Sequence, residues 1–373
     1  MPKNVVICCD GTNSSFQRDL TNVARMSCIA IQLPGVQHVY YDVGVGVVEP
    51  GFATKVGATL YRWAGLAFGV GLVENVVEAY REIVCNYDPG DRLFLFGFSR
   101  GAYTVRVLAG VLDNFGLLKR ENQSLIEEVI RKFSRLTPKE GSADAQDPVK
   151  KRAYLDRTFA EARAIRESKS VECPVHFMGI WDTVSSLGWA YDPKTFPNTA
   201  KMPQAKMIRH AMALDERRAK FRPNRVIPVP EAAQDIREIW FSGDHSDVGG
   251  GYADDQSALA KKCLTWILRE ACLQGLSIDP VKEKELLKVP ELLPGQMEPQ
   301  HESLEKFWWA IEWIRLPHRT QVDGVWKEEM IRYRGKGWRT IRDGDFVHSS
   351  VRDRANVKNT NWRAAEIKVQ WVD

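Results

Sequence analysis

The stretch that most constrains this chain is Arg92-Leu93-Phe94-Leu95-Phe96-Gly97-Phe98-Ser99-Arg100-Gly101. An apolar run of strand length passes at once into G-x-S-x-G, and residues 99–115 then carry helical spacing. A buried strand that turns into a helix this abruptly belongs in a layered α/β sheet, and it sets the serine at the carboxyl end of the strand. The glycines on either side keep Cβ atoms out of a tight turn. The hydroxyl is left at a helix N-terminus, where developing negative charge is favoured.

The rest of the chain is read around that turn. Residues 4–9 (NVVICC) form a continuous β-branched and thiol run, the pattern of a strand buried on both faces. Residues 39–43, 174–181 and 236–241 read as further strands, and 20–33, 72–87 and 256–274 as helices. Residues 206–214 (KMIRHAMAL) read as a short helix. The alternation predicts a doubly wound, mostly parallel α/β sheet. Residues 120–170 are charged and amphipathic and read as an inserted helical cap. Residues 1–278 make the expected catalytic domain. Pro290, Pro294 and Pro299 open an irregular extension, 279–373, expected to pack on it. That extension holds seven of the 12 Trp: Trp308, Trp309, Trp313, Trp326, Trp338, Trp362 and Trp371.

Composition narrows the function classes. Among 373 residues, 52 Lys and Arg against 48 Asp and Glu give a net charge of +4, too balanced for a nucleic-acid binder. The seven Cys include no C-x-x-C pair, so reduced buried thiols are expected rather than a zinc site. The first ten residues lack the pattern of a secretory signal, and the least polar stretch, 56–73, contains Arg62 and four Gly. A soluble protein made in the cytosol is expected, with signal-free export left open.

A serine nucleophile needs a base, and the base needs an orienting carboxylate. In this fold class they follow the serine in the order acid, then histidine, each just past a strand end. His176 lies inside a strand, His38 precedes Ser99, His301 and His318 fall in the irregular end, and His210 sits beside Arg209. His245 and His348 remain as candidates, with His245 favoured because it follows strand 236–241 in Gly243-Asp244-His245-Ser246-Asp247-Val248-Gly249-Gly250-Gly251. Asp182, directly after strand 174–181, suits the orienting carboxylate, with Asp244 and Asp247 as competitors. An oxyanion hole would take the N–H of Arg100 and that of Gly11 or Thr12, in the polar turn after the first strand. Asp10 is read as holding that turn by hydrogen bonds, with a metal as the other reading. No cofactor is required.

Together these motifs resemble a known family. Cys9-Asp10-Gly11-Thr12, the Gly-rich run 44–71, Pro89-Gly90-Asp91, Gly97-Phe98-Ser99-Arg100-Gly101-Ala102, Trp181-Asp182-Thr183-Val184, His210-Ala211-Met212-Ala213-Leu214-Asp215-Glu216 and Trp240 to Tyr252 are similar to the α/β-hydrolase domain of unknown function 2235, which includes the phospholipase effectors of bacterial type VI secretion. The resemblance spans roughly residues 4–275. It implies a serine hydrolase with Ser99, His245 and Asp182 as its triad and, for the effector branch, cleavage of phospholipid acyl esters. The expected partner is a small-molecule or lipid ester.

Two rival classes stay in view. A Rossmann-like nucleotide or phosphate binder finds its best support in Gly44-Val45-Gly46, but the third glycine and a P-loop G-K-[ST] are missing. A non-catalytic scaffold is disfavoured by a complete ordered Ser, Asp, His set. Within the late Trp cluster, Phe307-Trp308-Trp309-Ala310-Ile311-Glu312-Trp313-Ile314-Arg315 reads as a helix over residues 303–316. It suits a core or lid element, or an interfacial helix making peripheral membrane contact.

Overall fold

In a computed structural model, residues 2–11, 19–44, 68–139, 142–184, 196–197, 199–218, 221–289, 297–304, 308–309, 312–313, 315–322, 325–335, 337–352 and 367–373 are described. Thr12 and most of the Gly-rich run 44–71 lie outside them, as does much of 303–316. In chain order the elements are β1 (Asn4–Cys9), α1 (Asn22–Ile29), β2 (Gln37–Asp42), α2 (Phe68–Asn86), β3 (Arg92–Phe98), α3 (Arg100–Phe115), β4 (Leu117–Leu118), α4 (Ile126–Ser134), α5 (Ala143–Gln146), α6 (Pro148–Lys169), β5 (Ser170–Val171), β6 (Val175–Trp181) and β7 (Met207–Ala213). There follow β8 (Asp235–Phe241), α7 (His245–Gly249), α8 (Ala258–Leu273), α9 (Pro280–Leu286), β9 (Leu316–Val322), β10 (Val325–Ile331), β11 (Phe346–His348) and β12 (Gln370–Val372).

β1 is buried from end to end because its two faces feed two cores. Val5, Ile7 and Cys9 pack with Val76, Tyr80 and Ile83 of α2 and Val105 and Leu108 of α3. Val6 and Cys8 pack instead with Met26 and Ile29 of α1 and Leu264 and Ile267 of α8. Helices thus cover both faces of one sheet, which is why its central strands read as unbroken apolar runs. The sheet has eight strands in the order β12-β11-β8-β7-β6-β3-β1-β2. Every pairing in it is parallel.

The order places a switch point between β1 and β3, one strand in from the β2 edge. From β1 the chain first moves outward to β2, then crosses back to lay β3 on the other side of β1. The carboxyl ends of β1 and β3 therefore part into a crevice, where open α/β sheets hold their ligands. Asp10 and Gly11 leave β1 there, and Ser99 leaves β3.

Residues 206–214, expected to be a helix, are strand β7. Met, Ala, Leu and Lys favour helices as isolated residues. Here the segment is hydrogen-bonded between β6 and β8 and is almost wholly buried, and that tertiary setting overrides the propensity. Residues 120–170, expected to be a helical cap, carry α4, α5 and α6. They are tied at their base by the antiparallel β4–β5 pair, and Phe133 of α4 packs against Phe115 and Phe196. The Trp-rich end contributes to the sheet itself. β11 and β12 extend it beyond β8, and Ile341, Val347 and Val351 form a third apolar cluster with Met212, Leu214 and Trp240. Of residues 303–316, Trp308, Trp309 and Glu312 are helical. Among the described residues, no helix is long and apolar enough to cross a membrane.

Candidate active site

Ser99 takes a backbone conformation that L-residues rarely adopt, φ 55° and ψ −112°. Such a conformation costs about 1–3 kcal/mol and persists only where its surroundings enforce it. Two features do so. The Ser99 N–H donates to the Trp181 carbonyl at 3.0 Å, tying the turn to the end of β6. The start of α3 is also pressed onto β1 so closely that a Cβ on Gly101 would lie 1.9 Å from the Cys9 carbonyl oxygen. The second glycine of G-x-S-x-G is therefore required by backbone-to-backbone approach.

His245 opens α7. Asp244 caps this five-residue helix, accepting from the N–H groups of Ser246 and Asp247 at 2.9 Å each, and Asp247 accepts from the Asp244 N–H in return. The ring lies against Phe98, with centroids 4.6 Å apart, and meets Phe221 edge-on at 5.0 Å. Gly249, from the triple-glycine run, lets the chain pass the Phe98 ring, where a Cβ would lie 1.9 Å from a ring carbon.

These elements bring three side chains together. His245 Nε2 is 2.8 Å from Ser99 Oγ, and His245 Nδ1 is 2.6 Å from Asp182 Oδ2. Asp182 follows β6 in a left-handed conformation, φ 38°, and is fully buried. Its N–H donates to the Ala211 carbonyl at 2.7 Å, and its Oδ1 accepts from the Ala213 N–H at 2.9 Å. β7, lying between β6 and β8, thus ends in small alanines where the carboxylate and imidazole meet.

Electrostatics orders the protonation states. Burial alone would raise the Asp182 carboxyl, but Arg339 and His245 hold it well below the usual carboxylate range. Burial lowers the His245 imidazole below its ordinary value against the pull of Asp182, so it is neutral at neutral pH. With Asp182 ionised and accepting, the Nδ1 of His245 carries the hydrogen and the Nε2 lone pair faces Ser99.

The other expected site residues are placed as follows. Asp10 accepts from Gly11 N–H at 2.7 Å, from the Tyr41 hydroxyl at 2.8 Å and from the Thr21 hydroxyl, so it holds the turn after β1. The Arg100 N–H lies in the first turn of α3, beside Ser99. Asp247, besides its capping bond, pairs with His301 Nδ1 at 2.7 Å. His348 bonds Ser350 and stacks on Phe241, away from Ser99. His210, on β7 rather than a helix, is fully buried between Glu238 and the Thr183 N–H.

Three further charged groups reach this site, of which only Glu216 falls within the motifs that carry the resemblance. Glu216 and Arg218 follow β7 in an ordinary-looking charged string, yet Glu216 is fully buried. It accepts from Arg218 and Ser303, and Oε2 lies 3.3 Å from the His245 N–H. Burial would raise its carboxyl, but Arg218 holds it at about 2. Arg339 comes from the Trp-rich end and donates to both Asp182 oxygens.

A profile of the type VI secretion phospholipase effector Tle1-like catalytic domain matches residues 3–270. The chain belongs to that family. An uncharacterised protein of Saccharomyces cerevisiae is 31% identical over 237 residues, which are 61% of this chain and 33% of the yeast protein. Among solved structures, an uncharacterised protein from Pseudomonas aeruginosa aligns at 18% identity and TM-score 0.39, over 76% of this chain and 47% of that one. The Tle1 effector bound to the VgrG spike of the type VI secretion system aligns at 18% identity and TM-score 0.35, over 69% and 52%. This chain thus spans a third of the yeast relative and about half of each solved structure. The family is that of a phospholipase effector catalytic domain.

Proposed function

We propose that the chain is a serine hydrolase that cleaves acyl esters of lipids, phospholipids in the first place. The observation that carries the reading is the aligned pair of short contacts, Ser99 Oγ to His245 Nε2 at 2.8 Å and His245 Nδ1 to Asp182 Oδ2 at 2.6 Å. Family membership supplies the substrate class.

In this mechanism Ser99 Oγ attacks the ester carbonyl carbon as His245 Nε2 takes the hydroxyl proton. Asp182 stabilises the imidazolium and keeps Nδ1 protonated. The tetrahedral oxyanion is met by the Arg100 N–H at the head of α3. Gly11 N–H, bonded to Asp10, becomes a second donor if its turn shifts toward the oxyanion. The imidazolium then returns its proton to the leaving alcohol, the C–O bond breaks, and an acyl-enzyme remains on Ser99. Water, deprotonated by His245, attacks that ester and releases the fatty acid with Ser99 restored.

An aromatic path leads outward from the imidazole. Phe221 meets His245 edge-on, and Trp308 meets Phe221 edge-on at 5.5 Å. The neighbouring Trp309 and Trp313 are exposed, at 41% and 53%. Indole rings of that kind partition to a lipid–water boundary, which gives the Trp-rich end a role in contacting the substrate surface.

The test is a panel from short p-nitrophenyl esters to phospholipid vesicles, run alongside labelling by a fluorophosphonate probe. Wild type should turn over esters and take the label, and Ser99→Ala should do neither. A Ser99→Ala variant that still labels would overturn the assignment.

A further inference from the structure

We propose that Arg339 is a positioning residue of this active site: its guanidinium clamps the Asp182 carboxylate against His245 and sets how readily the imidazole takes the Ser99 proton. The inference rests on the hydrolase reading above and adds a residue that lies 69 positions beyond the end of the family match at residue 270.

The geometry is specific to a guanidinium. Arg339 donates through Nη1 to Asp182 Oδ1 and through Nη2 to Asp182 Oδ2, the latter at 2.9 Å. Only a planar fork makes two such bonds to one carboxylate. The same two nitrogens reach the Ala213 carbonyl at 3.1 Å and the Phe221 carbonyl at 2.5 Å. One side chain therefore ties together the turn after β6, the end of β7 and the segment whose phenyl ring borders His245. The cation itself is 2% exposed and the carboxylate 0%, so neither charge is screened by water.

The segment bearing Arg339 is held from both sides. Arg217 lies over the Trp338 ring, 4.6 Å from its centre. Ile341 sits in the apolar cluster with Trp240 and Val347. Asp345 accepts from the Trp240 indole at 3.0 Å and takes Arg225 at 2.8 and 3.0 Å. β11 then joins the sheet beside β8. The Trp-rich end is thus a built part of the site, and β11 is the anchor that delivers Arg339.

The clamp has an electrostatic consequence. Asp182 Oδ2 accepts from Arg339 and from His245 at once, so the guanidinium stands one carboxylate oxygen away from the imidazole. A fixed cation there disfavours the imidazolium. The charged and titratable groups facing His245 are Asp182, Glu216, Arg218 and Asp244, and Arg339 acts through Asp182. Removing Arg339 leaves the other four in place, so the imidazole becomes more basic while losing its fixed orientation.

The experiment uses the full chain and a soluble p-nitrophenyl ester, with the pH profile of kcat/KM as the deciding readout. Arg339→Met should lower kcat by about 10–100-fold with KM little changed, short of the roughly 10⁴-fold expected when the orienting carboxylate itself is lost. Its acid limb should move to higher pH by about one unit, the scale of removing a buried charge at that range. Arg339→Lys, which keeps the charge and loses the fork, should show the kcat loss with little movement of the acid limb. Added guanidinium at millimolar concentration should restore part of the kcat of Arg339→Ala. Wild-type turnover and an unmoved acid limb in folded Arg339→Met overturn the inference. If Arg339→Met does not fold, wild-type kcat in Arg339→Lys overturns it equally. Failure of the underlying hydrolase reading looks different: wild type itself would then take no fluorophosphonate label.

Discussion

Asp182→Asn separates orientation from packing, because the two carboxylate oxygens have different duties. Oδ1 accepts from the Ala213 N–H at 2.9 Å and from Arg339, whereas Oδ2 accepts from His245 Nδ1 at 2.6 Å and from Arg339 at 2.9 Å. An asparagine has one acceptor and one donor to place. Arg339 faces both positions, but the Ala213 N–H can only donate whereas the imidazole can exchange tautomers, so the oxygen stays toward Ala213 and the NH₂ faces His245. The imidazole must then accept at Nδ1 and carry its hydrogen on Nε2, where it points at Ser99 and can no longer take a proton. The expected loss in kcat is about 10⁴-fold, the scale of a wrong tautomer in a serine triad. Stability should fall too, by about 3–5 kcal/mol, because Arg339 is left as a buried cation without its counter-charge. Both effects are read on one preparation, kcat on a soluble ester and unfolding in urea. A folded Asp182→Asn within tenfold of wild-type kcat would refute the tautomer argument.

Three further outcomes follow from other parts of the structure. Gly101→Ala drives a methyl into the Cys9 carbonyl of a central strand that cannot yield, so urea unfolding should register a loss of about 3 kcal/mol or more together with lost turnover. Burial raises the Asp244 carboxyl to about 7, helped by Asp247 and Glu216, so its native environment favours the protonated form. A group raised in this way contributes stability that is complete below its ordinary value of about 4 and is lost as pH climbs from there to about 7. Asp244→Asn keeps an oxygen to cap α7, so its melting temperature should match wild type only below about pH 4, and its advantage should grow up to about pH 7 and stay level above it. A gap that did not widen with pH would contradict this. Trp309→Ser with Trp313→Ser should reduce hydrolysis of phospholipid vesicles while leaving a soluble ester unchanged, and an equal loss on both substrates would count against a lipid-contacting role.

What could be read without coordinates was whatever depends on neighbours in sequence. The run Arg92 to Gly101 states strand, tight turn and helix in ten residues. NVVICC announces burial on both faces, Asp182 stands directly past an apolar run, and His245 stands four residues past the strand that ends at Phe241. The parallel α/β architecture followed from those local patterns. Residues 206–214 misled because helix propensity is a local quantity, whereas the fate of that segment was set by β6 and β8 on either side. Glu216 closes the motif His210 to Glu216, and only folding enclosed it beside Arg218 and the His245 N–H.

By itself, the sequence determined the order of Ser99, Asp182 and His245 along the chain and the tight turn that presents Ser99, because glycine spacing and apolar periodicity are written along the chain. Tertiary structure alone decided which carboxylate faces His245, for Asp182, Asp244 and Asp247 all lie near strand ends, and a hydrogen bond depends on the relative placement of β6, β7 and β8. It also decided that Arg339, 157 positions from Asp182, closes the site. Nothing local marks an arginine as the buried partner of a distant aspartate. That pairing exists only because β11 joins the sheet at β8 and carries the end of the chain back to the crevice.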